Sequence, residues 1–227
     1  VALAAGVSNK MNVKLISITK SLVDEVPMNA EELIVYVARV SNPTNQLNTE
    51  TSDRLIAYLI KHKHWSPFEM CDMTVEIETS RAIAAQILRH RSFNFSENSL
   101  RYSEVGGFES IQLRKAGATN RQSSLEEFDP IMNGGWASEL INQHIQESEV
   151  LYRDLLDAGV AKECARFVLP LTTQTRLYMK GSIRSWIHYL QVRLEEGTQL
   201  EHRQIAEAIS DIFQQQFPNI SKALNAQ

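Results

Sequence analysis

Met73 to Arg91, MTVEIETSRAIAAQILRHR, changes period in the middle. Met73, Val75 and Ile77 alternate with Thr74, Glu76 and Glu78, the period of a strand with one buried and one wet face. From Ser80 the spacing turns helical. Ser80 can cap a helix that buries Ile83, Ile87 and Ala84 and delivers Arg89, His90 and Arg91 at its C-terminal end. A strand feeding directly into a helix points to mixed α and β structure.

Outward from this stretch, Asn12 to Lys20 is short, β-rich and apolar, a second strand. Asn29 can cap a helix with Glu31 and Glu32 in its first turn and Leu33, Val37 and Val40 as its buried stripe. Thr51 or Ser52 starts another, with Leu55, Ile56, Leu59 and Ile60. Beyond Ser103 the pattern fades until Gly135. Gly106-Gly107, Ser123-Ser124 and Gly134-Gly135 mark a long excursion, read as a partly mobile lid. Trp136 to Ala158 is a long amphipathic helix closed by Gly159. A short helix from Ala161 stops at Pro170, Ser182 caps one running through Glu195, and Gln199 to Phe217 is the last. The expected fold is α+β, a single domain with a small, mainly antiparallel sheet and several long helices. Residues 1–10 read as a cloning remnant or disordered extension, and residues 11–227 as the domain.

The bulk numbers fit one sizeable domain: 227 residues, 43% apolar and 22% charged. A net charge of −4 argues against a dedicated nucleic-acid binder, yet leaves room for a small anion held by local arginines. Two cysteines, Cys71 and Cys164, make no disulfide framework or zinc cluster, which suits a reducing cytoplasm. No apolar run is long enough to span a membrane.

Gln86 to Arg101, QILRHRSFNFSENSLR, is the densest polar cluster. A solvated helix end would explain the cations alone, because they complement the helix dipole. The residues that follow add more. If Glu97 to Arg101 is extended, Glu97, Ser99 and Arg101 project to one side as an acceptor, a hydroxyl and a fork-shaped cation, a set suited to a nucleotide. Gln86 and Arg89 are three apart and share a helix face.

Arg89-His90-Arg91, seven residues and then Ser99, continuing through Arg101 and Tyr102, resembles the motif of the flavin-dependent thymidylate synthases. His64-Trp65-Ser66-Pro67-Phe68-Glu69 resembles another segment of that family, as do Ala165-Arg166 with Val168-Leu169-Pro170 and the spacing of Arg184, His188, Arg193 and Gln199. The resemblance implies reductive methylation of dUMP to dTMP, with 5,10-methylenetetrahydrofolate as one-carbon donor and FAD reduced by NADPH as hydride source. It implies FAD contacts at Ser41, Ser66, Glu69, Arg89, His90, Arg91, Glu97, Ser182, Arg184 and His188. It implies dUMP contacts at Gln86, Arg89, Glu97, Asn98, Ser99, Arg101, Arg166 and Arg193. Arg193 matches the arginine that favours ionisation of the uracil, and Ser99 would orient the ring. A cytoplasmic homotetramer with active sites shared between subunits is implied too, with neither nucleic acid nor membrane as partner. Gly197 departs from the pattern where the family often has histidine, and His188 stands where some members have asparagine.

Other readings compete. Arg89, Arg91, Arg101 and Lys115 could form a phosphate track in a nucleic-acid-binding protein, and a nucleotide-binding relative without catalysis would keep the same pocket. No metal is expected, since His64 lacks further ligands at suitable spacing. Cys164 lies two residues from Arg166, so on a helix their side chains diverge. Ser99 as a nucleophile would need a base within reach. No Gly-x-Gly-x-x-Gly occurs, so NADPH must bind without that fingerprint.

Overall fold

In the computed structural model, which describes residues 7–8, 11–25, 27–118 and 124–226, the change of period at Ser80 is a change of element. The strands in chain order are β1 (Val7–Ser8), β2 (Asn12–Ile18), β3 (Asp72–Ser80), β4 (Asn94–Glu97), β5 (Phe108–Glu109), β6 (Arg114–Ala116), β7 (Ser124–Glu127), β8 (Ile131–Met132), β9 (Gly135–Trp136) and β10 (Gln174–Ser182). The helices are α1 (Ala30–Ala38), α2 (Ser52–Lys61), α3 (Arg81–Ile87), α4 (Ala137–Asp157), α5 (Lys162–Ala165), α6 (Ile183–Arg193), α7 (Leu200–Gln216) and α8 (Pro218–Asn225). The fold class is α+β, as expected. The four longest-range strands form one sheet in the order β2-β3-β10-β4, and three two-stranded ladders accompany it.

The chain divides into two compact units, each discontinuous in sequence. The first comprises residues 1–12, 78–89 and 96–177; the second comprises 13–77, 90–95 and 178–227.

In the first unit, α3 buries Ile83, Ala84 and Ile87, and α4 buries Ala137, Ile145 and Tyr152. Gly159 takes a positive φ of 85° to close α4. The excursion after Ser103 contains ladders. β1 pairs parallel with β5, while β6–β7 and β8–β9 are antiparallel. The β8–β9 turn is Asn133-Gly134, both at positive φ, which is what a two-residue hairpin of matching twist demands. Of the expected extension over residues 1–10, only Val7–Ser8 is described, paired with Phe108–Glu109. Ser123 of the Ser123-Ser124 pair lies outside the described residues.

In the second unit, α1 opens on a capping box, with Asn29 accepting from the Glu32 amide and Glu32 from the Asn29 amide. Its buried face is Ala30, Glu31, Ile34 and Val35; the expected stripe of Leu33, Val37 and Val40 is wrong, and Val40 is exposed. The reason is Glu31. Its carboxylate is buried because it accepts from the Asn219 and Ile220 amides, capping α8 from a distance. Helix α8 itself corrects the expectation that the chain's last helix ends at Phe217. It packs on α2 and α7. Strand β10 was not expected either, although Thr175, Leu177 and Met179 alternate as buried residues along it. Met73, Val75 and Ile77 of β3 are fully buried, as their alternation predicts.

Candidate functional site

The expected site residues sort by unit. Gln86, Arg89, Glu97, Asn98, Ser99, Arg101 and Arg166 fall in the first; Ser41, Ser66, Glu69, His90, Arg91, Ser182, Arg184, His188 and Arg193 fall in the second.

In the first unit, α3 ends at Ile87, so Arg89 to Arg91 follow the helix rather than forming its last turn. Nor is Glu97 to Arg101 extended. Strand β4 stops at Glu97, and the Tyr102 and Ser103 amides both donate to the Ser99 carbonyl, closing a turn. Within that turn the Ser99 hydroxyl accepts from the Arg101 amide at 3.3 Å, and no base reaches it among the described residues. Ser103 donates to Asn98 Oδ1 at 2.9 Å, which leaves the Asn98 amide nitrogen pointing elsewhere. Arg101 and Arg166, far apart in sequence, meet at Glu163. Arg101 pairs with its carboxylate at 3.2 Å, and Arg166 Nε donates to its carbonyl at 3.4 Å. The Glu163 carboxylate on Arg101 is what a phosphate would replace, with Arg166 close by on the Glu163 backbone.

Glu97 is held at one oxygen. Its Oε1 accepts from Arg81 Nη1 at 3.3 Å and from Thr175 Oγ1 at 2.8 Å. Neither partner was expected from the sequence. Arg81 belongs to none of the motifs read from the sequence, and Thr175 lies on the strand that was not expected.

In the second unit, Ser182 caps α6 by accepting from the Ser185 amide at 3.3 Å. Its hydroxyl also donates to Glu69 Oε2 at 2.5 Å, and Arg184 donates to Glu69 Oε1 at 2.9 Å. A cleft of about 470 Å³ opens here, lined by Trp65, Glu69, Ser92, Arg184, His188 and Gln191 among others. That size and donor-rich lining suit a cofactor-sized ligand. Ser66 begins the 3-10 turn Ser66–Glu69 that carries Glu69. Ser41 is not brought into this cleft. It lines another, of about 450 Å³, with Arg39, Asn42, Thr51 and Arg54.

Arg193, at the opposite end of α6 from Arg184, donates from Nε to His90 Nε2 at 2.9 Å. Burial, then the charges of Arg193 and His188, push the His90 pKa down to about 4. The ring is therefore neutral at pH 7, with its lone pair toward Arg193 and its proton on Nδ1. Behind it lies a buried pair that sequence reasoning missed. Tyr189 stands edge-on to His90 at 4.9 Å between centroids, and its hydroxyl meets His202 Nε2 at 3.1 Å. His202 is fully buried on the apolar face of α7, beside Ile205 and Ile209, and an imidazole on such a face was the available signal.

The cysteines stand apart. Cys71 is buried, and desolvation with the neighbouring Asp72 charge drives its pKa up to about 12, so its thiol stays protonated. Cys164 is exposed. Among the described residues, no group of three or more His, Cys, Asp or Glu could hold a metal, and no helix is long and apolar enough to cross a membrane.

Comparison with known proteins gives a consistent answer. Residues 21–219 match the family described as thymidylate synthase complementing protein. A probable flavin-dependent thymidylate synthase of Paramecium bursaria Chlorella virus 1 is 51% identical over 216 residues, covering 95% of this chain and 99% of that one. The flavin-dependent thymidylate synthase of Synechocystis sp. is 50% identical over 216 residues, covering 94% and 99%. Among solved structures, the UMP/dUMP methylase PolB of Streptomyces cacaoi, bound with 5-Br dUMP, superposes with a TM-score of 0.78 at 26% identity over 97% of each chain.

Proposed function

Because the chain belongs to the thymidylate synthase complementing protein family, the flavin-dependent thymidylate synthases, we infer that it methylates dUMP to dTMP, with 5,10-methylenetetrahydrofolate as the one-carbon donor. FAD, once reduced by NADPH, supplies the hydride that completes the methyl group. The observation that carries the reading is the cleft of Trp65, Glu69, Arg184 and His188, whose donors match a flavin's carbonyls and phosphates. Ser66, Ser182 and the His90-Arg91 pair extend that set, and Arg89 and Glu97 belong to both cofactor and nucleotide recognition.

On the nucleotide side, Arg101 and Arg166 release Glu163 and take the phosphate. Asn98 and Ser99 orient sugar and uracil, with Gln86, Arg89 and Glu97 beside them. Arg193 stabilises negative charge on the uracil, which raises the ring's nucleophilicity toward the one-carbon unit. Neutral His90 accepts from Arg193 Nε and so aims the remaining guanidinium nitrogens away from itself. Ser99 binds and orients; among the described residues no base reaches its hydroxyl to make it a nucleophile. The placement of Ser41 in a separate cleft favours a homotetramer in which one subunit's Ser41 completes another's cofactor site. A cytoplasmic setting suits the reduced folate and thiols.

The test is the visible spectrum of the purified protein after loading with FAD and gel filtration, followed by dTMP formation. Flavin absorbance that co-elutes and turnover that needs dUMP, folate and NADPH are expected. A colourless protein after loading would sink the reading in favour of a non-catalytic nucleotide binder.

A further inference from the structure

Arg81 occupies the first turn of α3, where a positive charge opposes the helix dipole. The Arg81 and Ala82 amides are already taken by the Thr173 and Leu171 carbonyls, at 3.0 and 3.1 Å. Its guanidinium Nε is buried with no hydrogen-bond partner among the described residues. Helix formation therefore does not account for an arginine here. Its two terminal nitrogens do: Nη1 bonds Glu97 Oε1 at 3.3 Å and Nη2 bonds the Asn98 carbonyl at 3.1 Å. One guanidinium thus clamps two consecutive residues where β4 ends and the Ser99 turn begins. From the other side, Thr175 donates to the same Glu97 oxygen at 2.8 Å, and the Asn98 amide donates to the Arg176 carbonyl at 2.8 Å. Both protein bonds fall on Oε1, and Oε2 has no partner among the described residues. The Arg81 and Glu97 side chains are only 27% and 22% exposed, so the pair is screened less than a surface pair would be.

We propose that Arg81 is a positioning residue for nucleotide recognition: together with Thr175 it pins Glu97 by one oxygen and fixes the Asn98 backbone, presenting Glu97 Oε2 to the bound nucleotide. This rests on the reading of Glu97 and Asn98 as nucleotide contacts. A side chain free to rotate would have to be ordered by the ligand, at the expense of affinity; a carboxylate ordered beforehand avoids that. Lysine cannot substitute fully, because a single ammonium cannot hold the carboxylate and the carbonyl in a fixed fork.

The experiment compares Arg81→Met, Arg81→Lys, Thr175→Val, Glu97→Gln and the Arg81→Met/Glu97→Gln double variant. Each, loaded with FAD, is measured for dUMP affinity by calorimetry, for KM and kcat, and for thermal midpoint. Arg81→Met should raise the dUMP Kd and KM about tenfold, within a range of roughly five to thirty, with kcat changed less than about threefold. Arg81→Lys should recover part of the loss, and Thr175→Val should cost about two- to fivefold. The double variant should lose clearly less than the product of the two single losses, because Arg81 acts chiefly through Glu97 and beyond it only through the Asn98 carbonyl. Independent, multiplying losses in the double variant would overturn the proposal, as would normal dUMP binding by Arg81→Met while Glu97→Gln is impaired. Normal binding by Glu97→Gln would instead remove the underlying role of Glu97, and the proposal with it. If Arg81→Met fails to fold, Arg81→Lys and Thr175→Val carry the same comparison.

Discussion

The roles proposed for Arg193 and Ser99 predict unequal losses on substitution, and the surroundings of each residue say why. The Ser99 hydroxyl is one neutral hydrogen-bonding group in a turn, so Ser99→Ala should slow dTMP formation by about two- to tenfold. Arg193→Ala removes a full charge rather than one neutral hydrogen bond and should cost on the order of a hundredfold or more in kcat. Turnover at saturating dUMP, folate and NADPH reads both, and a dead Ser99→Ala beside a mildly impaired Arg193→Ala would reverse the assignment. The buried His202 has a consequence for acid stability. Its pKa is lowered to about 4 by burial first, then by Arg193 and His90. The unfolded chain, with a histidine pKa near ~6.5, takes up the proton first. The neutral ring's contribution is therefore complete above pH ~6.5 and is lost as pH falls toward the folded value. At ~1.4 kcal/mol per pH unit, the loss by pH 5 is about 2 kcal/mol. His202→Gln keeps a partner for Tyr189 without titrating, so between pH 7.5 and 5 its thermal midpoint should fall about 4–8 °C less than that of the unchanged protein. Equal falls would mean that His202 is not what titrates.

At the scale of elements, Gly181 in β10 shows how tightly the loop bearing His90 is packed. A Cβ there would stand 2.5 Å from the Phe93 ring, which lies edge-on against Trp186 at 4.7 Å. Gly181→Ala should cost about 1–3 kcal/mol and weaken FAD retention by shifting the 90–95 segment. Trimming the obstacle with Phe93→Leu in the same chain should cost less than the two changes summed, as thermal midpoints would show. A neutral Gly181→Ala would mean the ring has room to move. The same glycine explains why β10 was hard to see. Its alternation of Thr175, Leu177 and Met179 ends on a residue with no side chain to count. Helices with local signals were legible: the Asn29 cap, the Ser182 cap and the Gly159 stop all lie where the sequence put them. Features that depend on a distant partner were not. Glu31 reads as a first-turn acid until α8 brings it amides, and nothing local to Arg81 announces its pairing with Glu97. The site residues named from the motif were legible as types. Their grouping was not: Arg101 reaches Glu163 only through a contact distant in sequence, although the turn at Ser99 and the Arg166 bond to the Glu163 carbonyl are local.

For the whole molecule, α6 carries Arg184 on the Glu69 side and Arg193 on the His90 side. If active sites are shared in a homotetramer, an Arg184→Ala chain and an Arg193→Ala chain damage different halves of each site. Mixed and allowed to exchange subunits, they should regain up to about a quarter of full activity, the share of sites built from two intact halves under random mixing. No recovery despite proven exchange, by mass spectrometry of labelled subunits, would argue that each chain builds its site alone. The division of the chain has a further consequence. Four of its crossings between units, at 12–13, 77–78, 95–96 and 177–178, fall inside β2, β3, β4 and β10, and the fifth falls between Arg89 and His90. Each unit thus waits for segments made at quite different times. A ribosome that has released only residues up to Leu177 exposes every piece of the first unit, whereas the second still lacks α6, α7 and α8. During synthesis the first unit can therefore gather while the cleft of Trp65, Glu69, Arg184 and His188 still lacks α6, with the apolar faces of α1 and α2 left for chaperones to shield until α6, α7 and α8 follow.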